Sequence, residues 1–110
     1  MAPSKSHLGE FEVLVLLAAL RLGRKAYGMA IRDEIERHSG REVARAAVYV
    51  TLKRLERKGL VRTEKEDADA GPGVPRRFAS VTPEGIELLR QNRQVLNSLW
   101  TGLAVLEGAE

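Results

Sequence analysis

Between Leu8 and Leu22 the chain reads LGEFEVLVLLAALRL, and from Val13 to Leu20 no polar residue interrupts it. This stretch predicts a first helix that is apolar on more than one side. Glu10 and Glu12 lie near its start and Arg21 near its end, as the backbone dipole prefers. Gly23 follows, where a helix end favours glycine. The polar residues 1–7 before it (MAPSKSH) read as a disordered tail. A chain of 110 residues has room for one domain and a modest core. A helix apolar nearly all round therefore predicts that a second subunit covers part of it.

The basic connector Arg24–Ala26 leads to a second predicted helix over Tyr27–His38. Its apolar positions are Met29, Ile31 and Ile35, and Ser39-Gly40 closes it. A third helix is predicted over Val43–Lys58. A short turn containing glycine joins the two, which is helix-turn-helix spacing. On the third helix Val48, Leu52 and Leu55 recur at i, i+4 and i+7, one core-facing stripe. The opposite stripe carries Ala46, Val50, Lys53 and Arg57, flanked by Tyr49 and Arg54. Two readings fit that outer face. One is a helix read into the DNA major groove; the other is a solvated basic surface.

Gly59 sits at the expected C-terminus of this helix. Leu60–Lys65 and Arg77–Val81 then read as two antiparallel strands. Between them, Glu66–Arg76 (EDADAGPGVPR) is too irregular for a tight turn and predicts a mobile loop. Thr82-Pro83-Glu84 is a helix start: an N-cap hydroxyl, proline at the first position and an acid in the first turn. The last helix is expected from Pro83 to about Leu106. Ile86, Leu89, Leu96, Leu99, Trp100, Leu103 and Leu106 form a long apolar series along it, which calls for a partner helix. The expected fold is mainly α with a small β-hairpin: tail 1–7, winged helix-turn-helix 8–82, C-terminal dimerisation helix 83–110.

Charge sharpens the picture. The chain carries a net +3, but residues 41–65 hold eight Lys/Arg against three acids, a local +5 that leaves −2 elsewhere. Such clustering favours an acidic partner for one region. With no cysteine, disulfides, thiolate zinc sites and cysteine nucleophiles are excluded. The run Val13–Leu20 is too short to span a bilayer and lacks a signal-peptide cleavage pattern, so a cytoplasmic location is expected. His7 and His38 stand alone, without ligand spacing. Gly71-Pro72-Gly73 lacks the setting of a phosphate-cradling loop. No nucleophile has a base beside it, so neither an enzyme nor a cofactor is expected.

LGEFEVLVLLAAL, YGMAI, AAVYVTLKRLERKGLV and RRFASVTPEGIELL together resemble the PadR family of bacterial transcriptional regulators, over roughly Leu8 to Leu89. The most specific part is Tyr49, Leu52, Leu55, Gly59 and Leu60, followed by Thr82 and Gly85. The single long helix after the wing is similar to the short subfamily. The resemblance implies a homodimeric, usually repressing regulator on a palindromic operator of double-stranded DNA. It places Tyr49 and its neighbours on the recognition helix and Arg76 and Arg77 at the wing's second strand. Two departures stand out: Phe78 where the family often has tyrosine, and Arg45-Ala46-Ala47 in place of a frequent Pro or Gly.

The candidate DNA contacts are therefore Arg45, Ala46, Tyr49, Val50, Lys53, Arg54, Arg57, Tyr27, Arg76 and Arg77. Cations suit phosphates or a guanine edge, and Ala46 and Val50 suit a thymine methyl. Tyr27 has two readings, marking a helix N-terminus on a phosphate or packing beneath the wing. The candidate dimer interface is Phe11, Leu14, Leu96, Leu99, Trp100 and Leu103. Trp100 is read as interface core; the family's multidrug-responsive members suggest instead a pocket for a small hydrophobic or aromatic effector. The rival class is a winged-helix module whose basic helix binds an acidic protein.

Overall fold

The computed structural model describes residues 7–65, 76–106 and 108. Helix α1 (Glu10–Leu22) begins where the Glu12 carboxylate reaches back to accept the Gly9 N–H at 2.8 Å. It ends at Gly23, whose φ of 59° suits glycine. A 3₁₀ turn over Gly23–Lys25 carries the chain to the buried Ala26 and into α2 (Gly28–Ser39). Gly40, in the left-handed region, closes α2 by donating its N–H to the Glu36 carbonyl.

Helix α3 (Arg45–Arg57) starts later than the expected Val43. Val43 is buried, and its N–H is taken at 2.8 Å by the Glu36 side chain, which holds it in the turn instead of the helix. At the other end the Leu60 N–H donates to the Leu55 carbonyl and the Gly59 N–H to that of Glu56. This pair of bonds is the Schellman arrangement, and Gly59 supplies the positive φ it needs.

Strands β1 (Val61–Lys65) and β2 (Arg77–Val81) pair antiparallel, from Val61 opposite Val81 to Lys65 opposite Arg77. The far edge of β2 is also tied down. The Ala79 N–H donates to the Ala26 carbonyl at 2.8 Å, and Tyr27 bridges to Phe78. The wing is thereby fixed to the start of α2. The expected loop 66–76 and the tail 1–7 lie, except for Arg76 and His7, outside the described residues.

Helix α4 (Pro83–Trp100) opens on Thr82, whose Oγ1 accepts the Gly85 N–H at 3.1 Å and donates to the Gly59 carbonyl at 2.8 Å. The Thr82 N–H donates to the Leu60 carbonyl at 3.0 Å. Gly85 packs so closely on that carbonyl that a β-carbon would lie 2.5 Å from its oxygen. The expected run of α4 to about Leu106 is corrected: the helix stops at Trp100. Thr101 is extended (ψ 135°) and Gly102 has φ 83°, so Leu103 and Leu106 fall in turns beyond the helix.

The core lies among α1, α2, α3 and β1, where Val15, Leu16, Ile31, Val48, Leu55, Leu60 and Val61 are fully buried. Each such side chain contributes about 1.5–3 kcal/mol of transfer free energy. By contrast, α4 buries only Gly85 and Leu89, and leaves Leu96 and Trp100 in solvent across from exposed Leu17 and Leu20 of α1, with Leu99 exposed on another side.

Candidate nucleic-acid interface

Helix α3 buries Val48, Thr51, Leu52 and Leu55 and turns Ala46, Tyr49, Val50, Lys53 and Arg57 outward. The exposed face therefore mixes small apolar side chains near its N-terminus with cations further along. Among the described residues, Lys53 and Arg57 have no carboxylate within ion-pair range. Arg54 is different. It is exposed, yet its Nη1 lies 4.0 Å from Glu12 Oε2 on α1.

The N-terminal ends of α2 and α3 and the base of the wing enclose a groove of about 570 Å³. Its walls carry Tyr27, Tyr49, Arg45, Arg76 and Arg77, two aromatic rings and three cations. The Phe78 ring meets Tyr27 edge-on at 5.8 Å between centroids, and the Arg76 guanidinium stacks over Tyr27 at 4.6 Å. Tyr27 thus packs beneath the wing and is also the N-cap of α2. Arg45 Nε lies 3.3 Å from Met29 Sδ. Arg77 donates to Thr63 Oγ1 at 2.6 Å, and Thr63 donates in turn to Glu56 at 2.8 Å. This relay aims the wing arginine from α3. The first amides of a helix have no intrahelical acceptor, so those of α2 add donors beside the cations. An anionic ligand such as a nucleic-acid backbone suits this groove chemically.

Two buried carboxylates, read from sequence only as helix acids or not at all, hold the scaffold behind this face. Burial would raise the Glu12 carboxyl, but hydrogen bonds from Lys58 and the Gly9 amide, with the charges of Lys58 and Arg54, hold it below the usual carboxylate range. Glu34 is lowered chiefly by the hydrogen bond from Arg21 at 2.9 Å, against burial, with Arg37 and His38 assisting. His38 is thus a helix-end residue on Glu34, and the His7 carbonyl accepts from Lys58 at 3.3 Å. The signal for both acids was their place within apolar stripes. The distant partners, Lys58 for Glu12 and Arg21 for Glu34, gave none, whereas Gly9, Arg37 and His38 lie at helical spacing.

Away from this face, α1 and α4 bound an apolar groove of about 700 Å³ lined by Val13, Leu17, Leu20, Leu89, Leu96 and Trp100, with Arg90 and Arg93 at its rim. The six interface candidates are not all on it. Leu96 and Trp100 line the groove. Leu99 points elsewhere at 67% exposure, and Leu103 is exposed past the helix end. Phe11 and Leu14 are half-buried against the core, Leu14 facing a separate cleft between α1 and α2. Among the described residues, no cluster of three His, Cys, Asp or Glu is placed to hold a metal. No described helix is long and apolar enough to cross a membrane.

Residues 16–91 match the transcriptional regulator PadR-like family. Among solved structures, the chain is similar to a PadR family transcriptional regulator from Eggerthella lenta DSM 2243, with 28% identity over 92% of this chain and 88% of that one and a TM-score of 0.67. It is also similar to a PadR family transcription regulator from Clostridium difficile R20291, with 23% identity, 91% and 100% coverage and a TM-score of 0.71. A PadR-like transcriptional regulator from Bacillus cereus shares the fold at 21% identity, 89% and 94% coverage and a TM-score of 0.67. No curated protein matches the chain.

Proposed function

Because the chain belongs to the PadR-like family of transcriptional regulators, we propose that it is a sequence-specific repressor that works in the cytoplasm as a homodimer on a palindromic operator. One observation carries this reading. The outward face of α3 presents Ala46, Val50, Lys53 and Arg57, the two cations without an ion-pair partner among the described residues, and it adjoins the cationic groove at the wing base. In this reading the protein divides into a winged helix-turn-helix, residues 8–82, and a dimerisation segment, residues 83–110. Helix α3 enters the major groove: Lys53 and Arg57 reach base edges or phosphates, and Ala46 and Val50 meet thymine methyls. Arg45, Tyr49, Tyr27, Arg76 and Arg77 hold the flanking backbone, and Arg54 adds a phosphate contact at the edge.

The exposed apolar groove between α1 and α4 supports a partner subunit seated there, in a two-fold arrangement with two α3 helices about 34–36 Å apart. A second reading draws on the same groove. With Trp100 on one wall and Arg90 and Arg93 at the rim, a flat aromatic effector would fit between the subunits and displace the operator. The basic helix binding an acidic protein is the rival class, and the wing-base arginines beside α3 favour DNA over it.

Selection of bound duplexes from a random pool tests the reading. It should return an inverted repeat with half-site centres one helical turn apart. Enrichment of no sequence, with binding indifferent to salt, would favour the protein-interaction class. Saturable quenching of Trp100 fluorescence by planar aromatic dyes, with release of the selected duplex, is the outcome the effector reading requires.

A further inference from the structure

Two basic stripes run along α3, and their surroundings differ. Lys53 and Arg57 face outward without an acidic partner among the described residues. Arg54 and Lys58, one position further round the helix, face α1. There Glu12, only 4% exposed, accepts the Lys58 ammonium on both carboxylate oxygens, at 2.8 and 3.1 Å. The same ammonium donates to the His7 carbonyl at 3.3 Å, so its three donors have three acceptors. Glu12 Oε1 also takes the Gly9 N–H, which fixes the carboxylate at the start of α1. Arg54 Nη1 stands 4.0 Å from the other oxygen.

A buried ion pair contributes little net stability compared with well-packed apolar residues of the same size. Its position suggests another use. Non-specific affinity for a duplex grows with every cation that reaches a phosphate, whatever the sequence. Specific affinity needs the recognition helix held in one register. A free lysine at the end of α3 would strengthen the first without helping the second.

We infer that Glu12 is a positioning residue for sequence discrimination: it sequesters Lys58, so that the cation at the C-terminal end of α3 is withheld from a duplex. This rests on the reading of α3 as the DNA-reading helix. The same pair ties α3 to α1, so that the recognition helix keeps its angle to the dimerisation face.

The test is binding of the selected operator and of a mixed-sequence duplex, by wild-type and variant proteins, over a range of salt. For Glu12→Gln the log–log salt slope on mixed-sequence DNA should steepen by about 1, the increment for one released cation. Mixed-sequence affinity should rise several-fold at low salt, and preference for the operator should fall by a similar factor. The double variant Glu12→Gln/Lys58→Gln should return the slope to the wild-type value, because the released cation is gone; a merely structural defect would persist in it. Lys58→Gln alone should leave the slope unchanged, and this arm remains decisive even where Glu12→Gln does not fold. A slope shallower by about 1 in Lys58→Gln means that Lys58 already contacts phosphate, which overturns the inference. A folded Glu12→Gln protein with wild-type slope and preference overturns it too. Wild-type protein that binds no duplex removes the DNA reading and this inference together, whereas wild-type binding with an unchanged Glu12→Gln slope removes the inference alone.

Discussion

Gly28 lies under the ring of Tyr49, close enough that a β-carbon on it would sit 2.6 Å from the ring carbons and 2.7 Å from the hydroxyl oxygen. The first residue of α2 and the outer flank of α3 thus touch where only glycine leaves room. Tyr49 is 43% exposed, so its ring can swing outward. Gly28→Ala should therefore cost stability near the lower end of the usual overpacking range, about 1–3 kcal/mol. Operator affinity should fall, because the displaced ring leaves the groove at the wing base. A double-mutant cycle checks the cause: in a Tyr49→Ala background the stability cost of Gly28→Ala should vanish. An equal cost in both backgrounds would locate the effect elsewhere.

Lys53 faces away from Val48 and Leu55 and carries no structural bond among the described residues. Lys53→Ala should leave the urea midpoint unchanged. Operator affinity should drop by about 1–3 kcal/mol if the ammonium reads a base edge. A smaller loss shared equally by unrelated sequences marks a phosphate contact. Unchanged affinity at low salt removes both roles.

Glu12 and Glu34 are both held below the usual carboxylate value of about 4.3. The folded state therefore binds fewer protons than the unfolded chain. The stability this contributes is complete above the usual value and is lost as pH falls through the lowered ones. Urea midpoints should be flat from neutrality to about pH 5 and fall steeply below about pH 4. Glu34→Gln should lower the neutral midpoint and flatten the acid limb. A variant whose acid limb keeps the wild-type steepness would show that Glu34 does not carry the effect.

The apolar groove between α1 and α4 leaves Trp100 52% exposed in one subunit. A second copy seated there should bury upwards of roughly 2,000 Å², the scale of an obligate interface. The melting temperature should then rise with protein concentration. Trp100→Ala should cost on the order of 3–5 kcal/mol if the partner buries the ring fully. Sedimentation of a folded monomer at micromolar concentration would contradict the homodimer.

What could be read from the chain followed from local rules. Val48, Leu52 and Leu55 mark the buried side of α3 by spacing alone. Gly59 and Thr82-Pro83 mark a stop and a start because only certain backbones and side chains satisfy helix ends. Leu103 and Leu106 continue the apolar spacing past Trp100, so spacing alone places the end of α4 too late. The break was written in Thr101-Gly102, two poor helix formers, and spacing outweighed it. Apolar Val43 draws the expected start of α3 too early, whereas a carboxylate from α2 claims its amide. The Glu12–Lys58 pair spans 46 positions. Nothing in the local pattern links two such residues; only the packing of α1 against α3 brings them together. Arg54 was grouped with Lys53 and Arg57 for the same reason, since composition counts cations without showing which acid they face.

The bonds between Thr82 and the Gly59–Leu60 carbonyls close the chain on itself across the hairpin, 23 positions apart at Thr82 and Gly59. Everything between those anchors beyond the paired strands is an excursion that returns to a fixed point. The length of such an excursion is thermodynamically cheap: doubling a loop adds only about 0.6 kcal/mol of closure entropy. The number of residues between the two anchors is therefore a weak constraint on the angle between α3 and α4. A single residue inserted between Val81 and Gly85 has no such freedom, because it would shift the whole of α4 in rotational phase. The joint at Leu60, whose carbonyl meets both the Thr82 amide and Gly85, is thus where residue count fixes α4 against α3.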